Sequence, residues 1–185
     1  IFDMRGFWPE EKVDAGAWKE LGILYIAIKS IEKKMVLFSD EVIVLTQAAK
    51  EILAREYNCA GKISVIPCCV DLEAFSPALP EPLSFSFPEG RPVISYVGSA
   101  GTFYNFEEAA RFFLSLKHDF PEAYFLVLLN GGKEAVLKTL GNFNINPGDY
   151  SVFSVPNKEV PKFLSRCAFS LIFYRRALSG SGCSP

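Results

Sequence analysis

The chain has 185 residues, 50% of them hydrophobic and 14% aromatic, with 19 basic against 21 acidic side chains and a net charge of −2. That composition suits a packed α/β protein and excludes an intrinsically disordered chain, and the scattered Lys and Arg exclude the massed basic surface that holds a nucleic acid. The longest apolar runs, 21–28 and 123–129, fall short of the ~20 residues that cross a bilayer, so any membrane contact is peripheral.

Ile-Phe-Asp at the start reads as a strand, and residues 2–14, FDMRGFWPEEKVD, follow it. Asp3 and Arg5 are spaced to orient each other, which makes Arg5 a fixed cationic fork for a ligand oxygen; a purely structural pair fits the same spacing. From Trp18 onward, Leu21, Tyr25, Ile28, Ile31, Met35 and Phe38 recur at helical spacing and predict one apolar face of a long helix. Glu32 interrupts that face and reads as a solvated carboxylate or one paired with Lys29 or Lys33. A strand is expected over 42–45, then a helix capped by Thr46 with Ala49, Ile52 and Leu53 inside, then a strand over 63–66 stopped by Pro67. Five cysteines, an odd number without a C-x-x-C pair, predict neither a disulfide framework nor a zinc site and suit a reducing, cytoplasmic setting.

Pro77, Pro80, Pro82, Pro88, Gly90 and Pro92 carry no periodic pattern and predict a linker over 77–92 between a first part, 1–76, and a second, 93–185. In the second part strands are expected over 93–97, 123–129, 150–155 and 169–174, with helices over 106–118 and 133–140 and a short one after Pro161. Strands separated by helices predict parallel sheets with right-handed crossovers. His118, the only histidine, ends an amphipathic helix, where a cation meets the helix dipole.

Three stretches carry chemistry. Residues 95–105, SYVGSAGTFYN, run a strand into small residues, and a turn at the carboxyl end of the first strand of a parallel sheet lies where such folds bind ligands. Asn105 with Glu108 three residues on forms a capping box, so backbone N–H groups at the helix start are placed to meet an anion. A tight turn that binds nothing is the plainer reading of the same residues. Residues 154–163, SVPNKEVPKF, make a loop after the third strand, and Asn130, Gly131 and Gly132 read as an ordinary strand-to-helix turn.

The segment 65–77, VIPCCVDLEAFSP, is similar to the V-I-P-N-G-V-D-x-x-x-F-x-P stretch of the nucleotide-sugar glycosyltransferases of family 4, with Cys68 and Cys69 in place of Asn-Gly. Gly98, Ser99, Gly101, Thr102 and Tyr104 resemble the G-S-x-G-T-x-Y turn of some members, and FDMRG resembles a D-x-R-G segment of one subgroup. The last residues, SGSGCSP, resemble the lead into that subgroup's S-P-T-K-x-G-E-Y segment. The resemblance implies a GT-B fold, two Rossmann-like α/β domains of parallel sheets with helices on both faces. At this length both domains are expected to be incomplete, and a fragment of this kind is expected to be inactive alone.

By the same resemblance the function is retaining transfer of a sugar from a nucleoside-diphosphate sugar, without a metal ion or other cofactor, which agrees with the absence of a D-x-D pair. Donor contacts are implied at Gly98, Ser99, Gly101 and Thr102 for the diphosphate and at Asn157, Lys158 and Val160 for the base. Asp3 and Arg5 are implied on the acceptor side. The expected partners are the nucleotide-sugar donor and a saccharide, lipid-linked or small-molecule acceptor, with no nucleic acid, in the cytoplasm or at the inner face of a membrane. A non-catalytic nucleotide-sugar-binding module and a nucleotide-sugar epimerase share the scaffold and stay open as alternatives.

Overall fold

The structure is a computed structural model and describes residues 1–75, 85–99, 104–175, 177 and 179–182. It divides into two compact units, Ile1–Cys69 with Arg175–Pro185, and Val70–Tyr174. The tail past Tyr174, which the sequence assigned to the second part, thus groups with the first.

The first unit is a parallel sheet in the order β1 (Phe2–Asp3), β2 (Val42–Val44), β3 (Ile63–Val65), with Val42 in register with both Phe2 and Ile63. Helices α1 (Trp8–Asp14), α2 (Ile23–Phe38) and α3 (Gln47–Tyr57) connect the strands. The Thr46 hydroxyl accepts from the Ala49 N–H at 3.0 Å, satisfying a donor that the first turn of α3 leaves free. Asn58 ends that helix in the left-handed conformation. Lys62 donates to the carbonyls of Leu37 and Ser39 at 2.6 and 2.8 Å, a cation on the C-terminal end of α2. The core holds Met4, Phe7, Val36, Val42, Val44 and Leu53. Ser179 N–H and Oγ both donate to one carboxylate oxygen of Asp14, at 2.8 and 2.7 Å, and so fix the tail to α1.

Helix α2 departs from its expected orientation. Its buried residues are Glu32 and Val36, while Ile31, Met35 and Phe38 of the anticipated inner face are exposed, Phe38 at 85%. Apolar residues cover most of the helix circumference, so periodicity alone did not select a side; a charge cluster with α1 did. Helix α1 itself was not anticipated, although Pro9 in its first turn followed by Glu10 and Glu11 is a helix-start signature.

In the second unit the sheet order is β6 (Tyr150–Ser154), β5 (Tyr124–Leu129), β4 (Val93–Gly98), β7 (Phe169–Leu171), all parallel. Helices α4 (Phe106–Asp119), α5 (Lys133–Asn142) and α6 (Val160–Leu164) lie between them in sequence. Every residue of β5 is buried, as expected for a central parallel strand covered on both faces. Its odd-numbered residues, Phe125, Val127 and Leu129, pack with Phe106, Phe113 and Val136; its even-numbered ones, Tyr124, Leu126 and Leu128, pack with Phe163. Phe85 and Phe87 join the second of these layers, with ring contacts to Phe153 and Phe163. Residues 85–92, placed in the linker by the sequence, therefore pack as part of this unit; the remainder of the linker, 77–84, lies outside the described residues.

Arg91 braces the amino-terminal edge of this sheet. Its guanidinium donates to the carbonyls of Glu122, Gly148 and Ala123 at 2.8, 3.0 and 3.0 Å and to Asp149 at 2.6 Å, and lies 5.0 Å from the Tyr124 ring centre.

Candidate functional site

The carboxyl ends of β4, β5 and β6 frame a small concavity of about 80 Å³ in the second unit. Gly98, Asn130, Asn157 and Val160 line it together with Val97, Leu128, Leu129 and Val155. Gly98 ends β4, and the Asn130 N–H reaches its carbonyl at 3.4 Å. Asn130 stands before Gly131 and Gly132, whose φ values of +97° and +75° suit glycine and turn the chain sharply into α5. Asn157 opens a 3-10 turn that leads straight into α6, which begins at Val160. Three loops from the ends of three neighbouring strands thus converge, the location at which open parallel sheets take ligands.

Of the donor residues expected from the sequence, Gly98, Asn157 and Val160 meet here. Ser99 lies one residue on, and its carbonyl accepts from the Tyr96 hydroxyl at 2.9 Å, which ties the start of the turn to the core. Tyr96 is fully buried, and burial pushes its phenol up to about 12, so the hydroxyl remains a donor at any physiological pH. Lys158 is exposed and does not line the concavity. Gly101 and Thr102 lie outside the described residues. Asn130, read from sequence as part of an ordinary turn, is the addition; its place after the second strand, beside the first, was the available signal.

At the start of α4, the Asn105 side chain accepts from the Glu108 N–H at 3.4 Å, the expected cap of that helix. The Asn105 N–H bonds the Phe173 carbonyl at 2.8 Å, and Tyr104 pairs with Tyr174. These contacts bind the end of the turn to the strand-end segment after β7, on the other side of β4 from the concavity. Glu107 and Glu108 in the first turn of α4 face Arg111 at 3.8 and 3.5 Å. His118 is exposed in the last turn of the same helix and contacts Asp119.

The first unit carries a larger groove of about 420 Å³. Asp3 and Arg5 sit at it as an exposed ion pair with 3.2 Å between Oδ2 and Nε, so the two residues do orient each other. Trp8, Pro9 and Glu11 from α1 and Ile28, Ile31, Glu32 and Met35 from α2 supply other walls. Burial raises the Glu11 carboxyl above its ordinary value. Gly6 leaves room for that carboxylate: a Cβ there would stand 2.5 Å from Glu11 Oε1.

Behind the groove, Lys29 Nζ lies 2.7 Å from both Glu10 and Glu32, and the Tyr25 hydroxyl donates to Glu10 at 3.0 Å. Glu10 Oε2 is buried without a hydrogen-bond partner among the described residues. Burial raises the Glu32 carboxyl, and its single hydrogen bond from Lys29 does not offset that; the neighbouring Glu10 charge adds to the rise. Burial works against the charge on Lys29, yet two carboxylates outweigh it and raise its pKa. The two partners shift as they do because one ammonium serves two carboxylates. Glu32 is thus the paired residue anticipated from the sequence, with Lys29 as the partner and Lys33 exposed.

Cys59, Cys68, Cys69 and Cys167 are free thiols, and no cluster of metal-ligating residues occurs among the described residues. No helix among the described residues is long and apolar enough to cross a membrane.

Comparison with curated proteins by sequence finds no match. The family model described as Glycosyltransferase Family 4 matches residues 13–74. Among solved structures, a TarM variant from S. aureus, in complex with fondaparinux, α-GlcNAc-glycerol and UDP, is similar with a TM-score of 0.58 at 11% identity over 78% of this chain. Sucrose-phosphate synthase from Thermosynechococcus elongatus is similar with a TM-score of 0.56 at 14% identity over 85% of this chain. The chain spans 27% of the length of the first and 41% of the second. Residues 13–74 carry the family 4 glycosyltransferase pattern, and the parallel α/β fold of the chain is that of the GT-B glycosyltransferases.

Proposed function

We propose that the chain is part of a glycosyltransferase that moves a sugar from a nucleoside-diphosphate donor to an acceptor hydroxyl, with retention of anomeric configuration. The observation that carries this reading is the convergence of Gly98, Asn130, Asn157 and Val160 at the carboxyl ends of three parallel strands. The diphosphate is assigned to the turn that begins at Gly98 and Ser99, where small residues let a backbone approach an anion closely. The base is assigned to the loop at Asn157 and Val160. The Tyr96 bond to Ser99 fixes the start of the turn before the donor arrives, which lowers the ordering cost of binding at that residue.

Departure of the diphosphate builds negative charge on its oxygens, and oriented N–H groups stabilise that charge without reorganising. We take this to occur without a metal ion. The acceptor is assigned to the groove at Asp3 and Arg5 in the first unit. TarM, bound to UDP and to saccharide ligands, supports the class of both partners.

Calorimetric titration of the chain with UDP, GDP and ADP tests the donor site. One nucleotide is expected to bind, with equal affinity in EDTA, and Asn157→Trp, a change at an exposed position, is expected to weaken it at least tenfold by filling the concavity. Unchanged affinity in that variant overturns the site, and loss of affinity in EDTA overturns metal independence.

A further inference from the structure

The groove of the first unit combines an apolar wall with a mouth that is unfriendly to anions. Ile31 and Met35 are half exposed on α2 and form this wall with Ile28 and Trp8. Exposed apolar surface of this kind, gathered in a concavity and not spread singly, marks a ligand or partner site.

The polar residues define what else the occupant carries. Asp3, Glu11 and Glu32 place three carboxylates around the groove. Among the described residues the cation lining it is Arg5, and Asp3 already pairs with it; Lys12 stands beside the groove over the Trp8 ring and near Glu11. Lys29 lies behind, spent on Glu10 and Glu32. An anionic head group would meet the Glu11 carboxylate and cations already engaged by Asp3, Glu10 and Glu32, whereas sugar-type hydroxyls can donate to the carboxylates and accept from the Arg5 fork. The Trp8 ring at the same mouth packs against Trp18 at 5.2 Å, with the Lys12 ammonium 5.5 Å over it, and adds to the apolar wall.

We propose that this groove takes a neutral amphiphile, a hydroxyl-rich head at Asp3, Arg5 and Glu11 with an aliphatic chain along Ile28, Ile31 and Met35. The inference rests on the acceptor-side reading of the groove for the role of the ligand, which is then an acceptor with an apolar aglycone. Binding itself is measured without any donor, so failure of nucleotide binding in the second unit and failure here are separate outcomes.

The test is titration of the chain with octyl β-glucoside below its micellar concentration, with glucose and with octyl sulfate, read by tryptophan fluorescence. Each methylene removed from water strengthens binding by up to roughly fourfold, so even partial burial of an octyl chain predicts octyl β-glucoside binding at least tenfold tighter than glucose. Octyl sulfate, with the same chain and an anionic head, is expected to bind more weakly than the glucoside. Ile31→Asp is expected to reduce glucoside binding at least tenfold, while Phe38→Asp, two turns further along the same face of α2 and outside the groove lining, leaves it unchanged. Both positions are exposed, and circular dichroism confirms the fold of each variant. Equal binding of glucose and the glucoside, octyl sulfate binding as tightly as the glucoside, no effect of Ile31→Asp, or an equal loss in Phe38→Asp would each overturn the proposal.

Discussion

Glu32 and Lys29 meet at 2.7 Å on the buried side of α2, a side that helical spacing had not selected. Glu32 is 7% exposed, and the same ammonium reaches Glu10 on α1, so this cluster joins the first two helices. Removing the shared cation strands two carboxylates. Lys29→Met is expected to cost roughly 2 to 4 kcal/mol in urea unfolding, because breaking a largely buried pair leaves uncompensated charge.

The pH dependence of the cluster has a definite sign. Glu32 has a raised pKa in the folded state, so the folded chain binds its proton more readily than the unfolded chain. Its contribution to stability therefore improves as pH falls from above the folded pKa toward the ordinary carboxylate value, and is constant below that. Glu32→Gln removes this slope. Urea melts of both proteins at a series of pH values between neutral and mildly acidic check it: the gap between them should narrow on acidification, and a constant gap counts against the assignment.

Asp149 behaves in the opposite sense. Burial raises its carboxyl, but hydrogen bonds from Lys117 and Arg91 and their charges together hold it below its ordinary value. The stability it provides is present above the unfolded carboxylate value and lost as pH falls through the folded one. Asp149→Asn should make the second unit less sensitive to acid, measured as a smaller loss of melting temperature between pH 5 and about pH 3. Arg91→Ala, which frees three carbonyls as well, should cost about 2 to 3 kcal/mol at neutral pH.

Tyr96→Phe isolates one hydrogen bond. The ring keeps its edge contact with Phe106 at 5.0 Å, and only the bond to the Ser99 carbonyl goes. Thermal melts should show a loss of about 1 kcal/mol. Nucleotide affinity should fall several-fold, since the turn must then be ordered by the ligand. A melt shift without any change in affinity would separate the turn from the donor site.

Hydrogen exchange should rank the strands. β4 and β5 are six residues long and buried along most of their length, whereas β1, β2 and β3 span two or three residues each. Amides of β4 and β5 are expected to exchange slowest in the chain. Equal protection in β2 and β3 would contradict that.

The second unit was largely legible because its signals are local. Runs such as Tyr-Phe-Leu-Val-Leu-Leu between Pro121 and the Asn130 turn read as a buried strand without knowledge of any neighbour, and the Asn105 cap declares where α4 begins. The first unit was harder. Apolar residues surround α2, so its inward side is chosen by Glu10, nineteen positions before Lys29, and no periodicity reports a partner at that distance. The site divides in the same way: Gly98 and Asn157 were readable from their place after strands, while Trp8 and Glu11 belong to a helix whose short, proline-led start was passed over. Asn130 acquires its role only when β4 and β5 are laid side by side, which is a property of register and not of any one segment.

The bond between Asp14 and Ser179 spans 165 positions of sequence. A ribosome delivers a chain from its amino terminus at roughly 5 to 20 residues per second, so Asp14 waits several seconds or more for its partner. During that interval every residue of the second unit emerges, while the strands and core of the first, all within residues 2–65, have already been delivered and can pack among themselves. Only the tether to Ser179 has to wait, so the contact that ties α1 to the later segment is the last of the first unit's contacts to form.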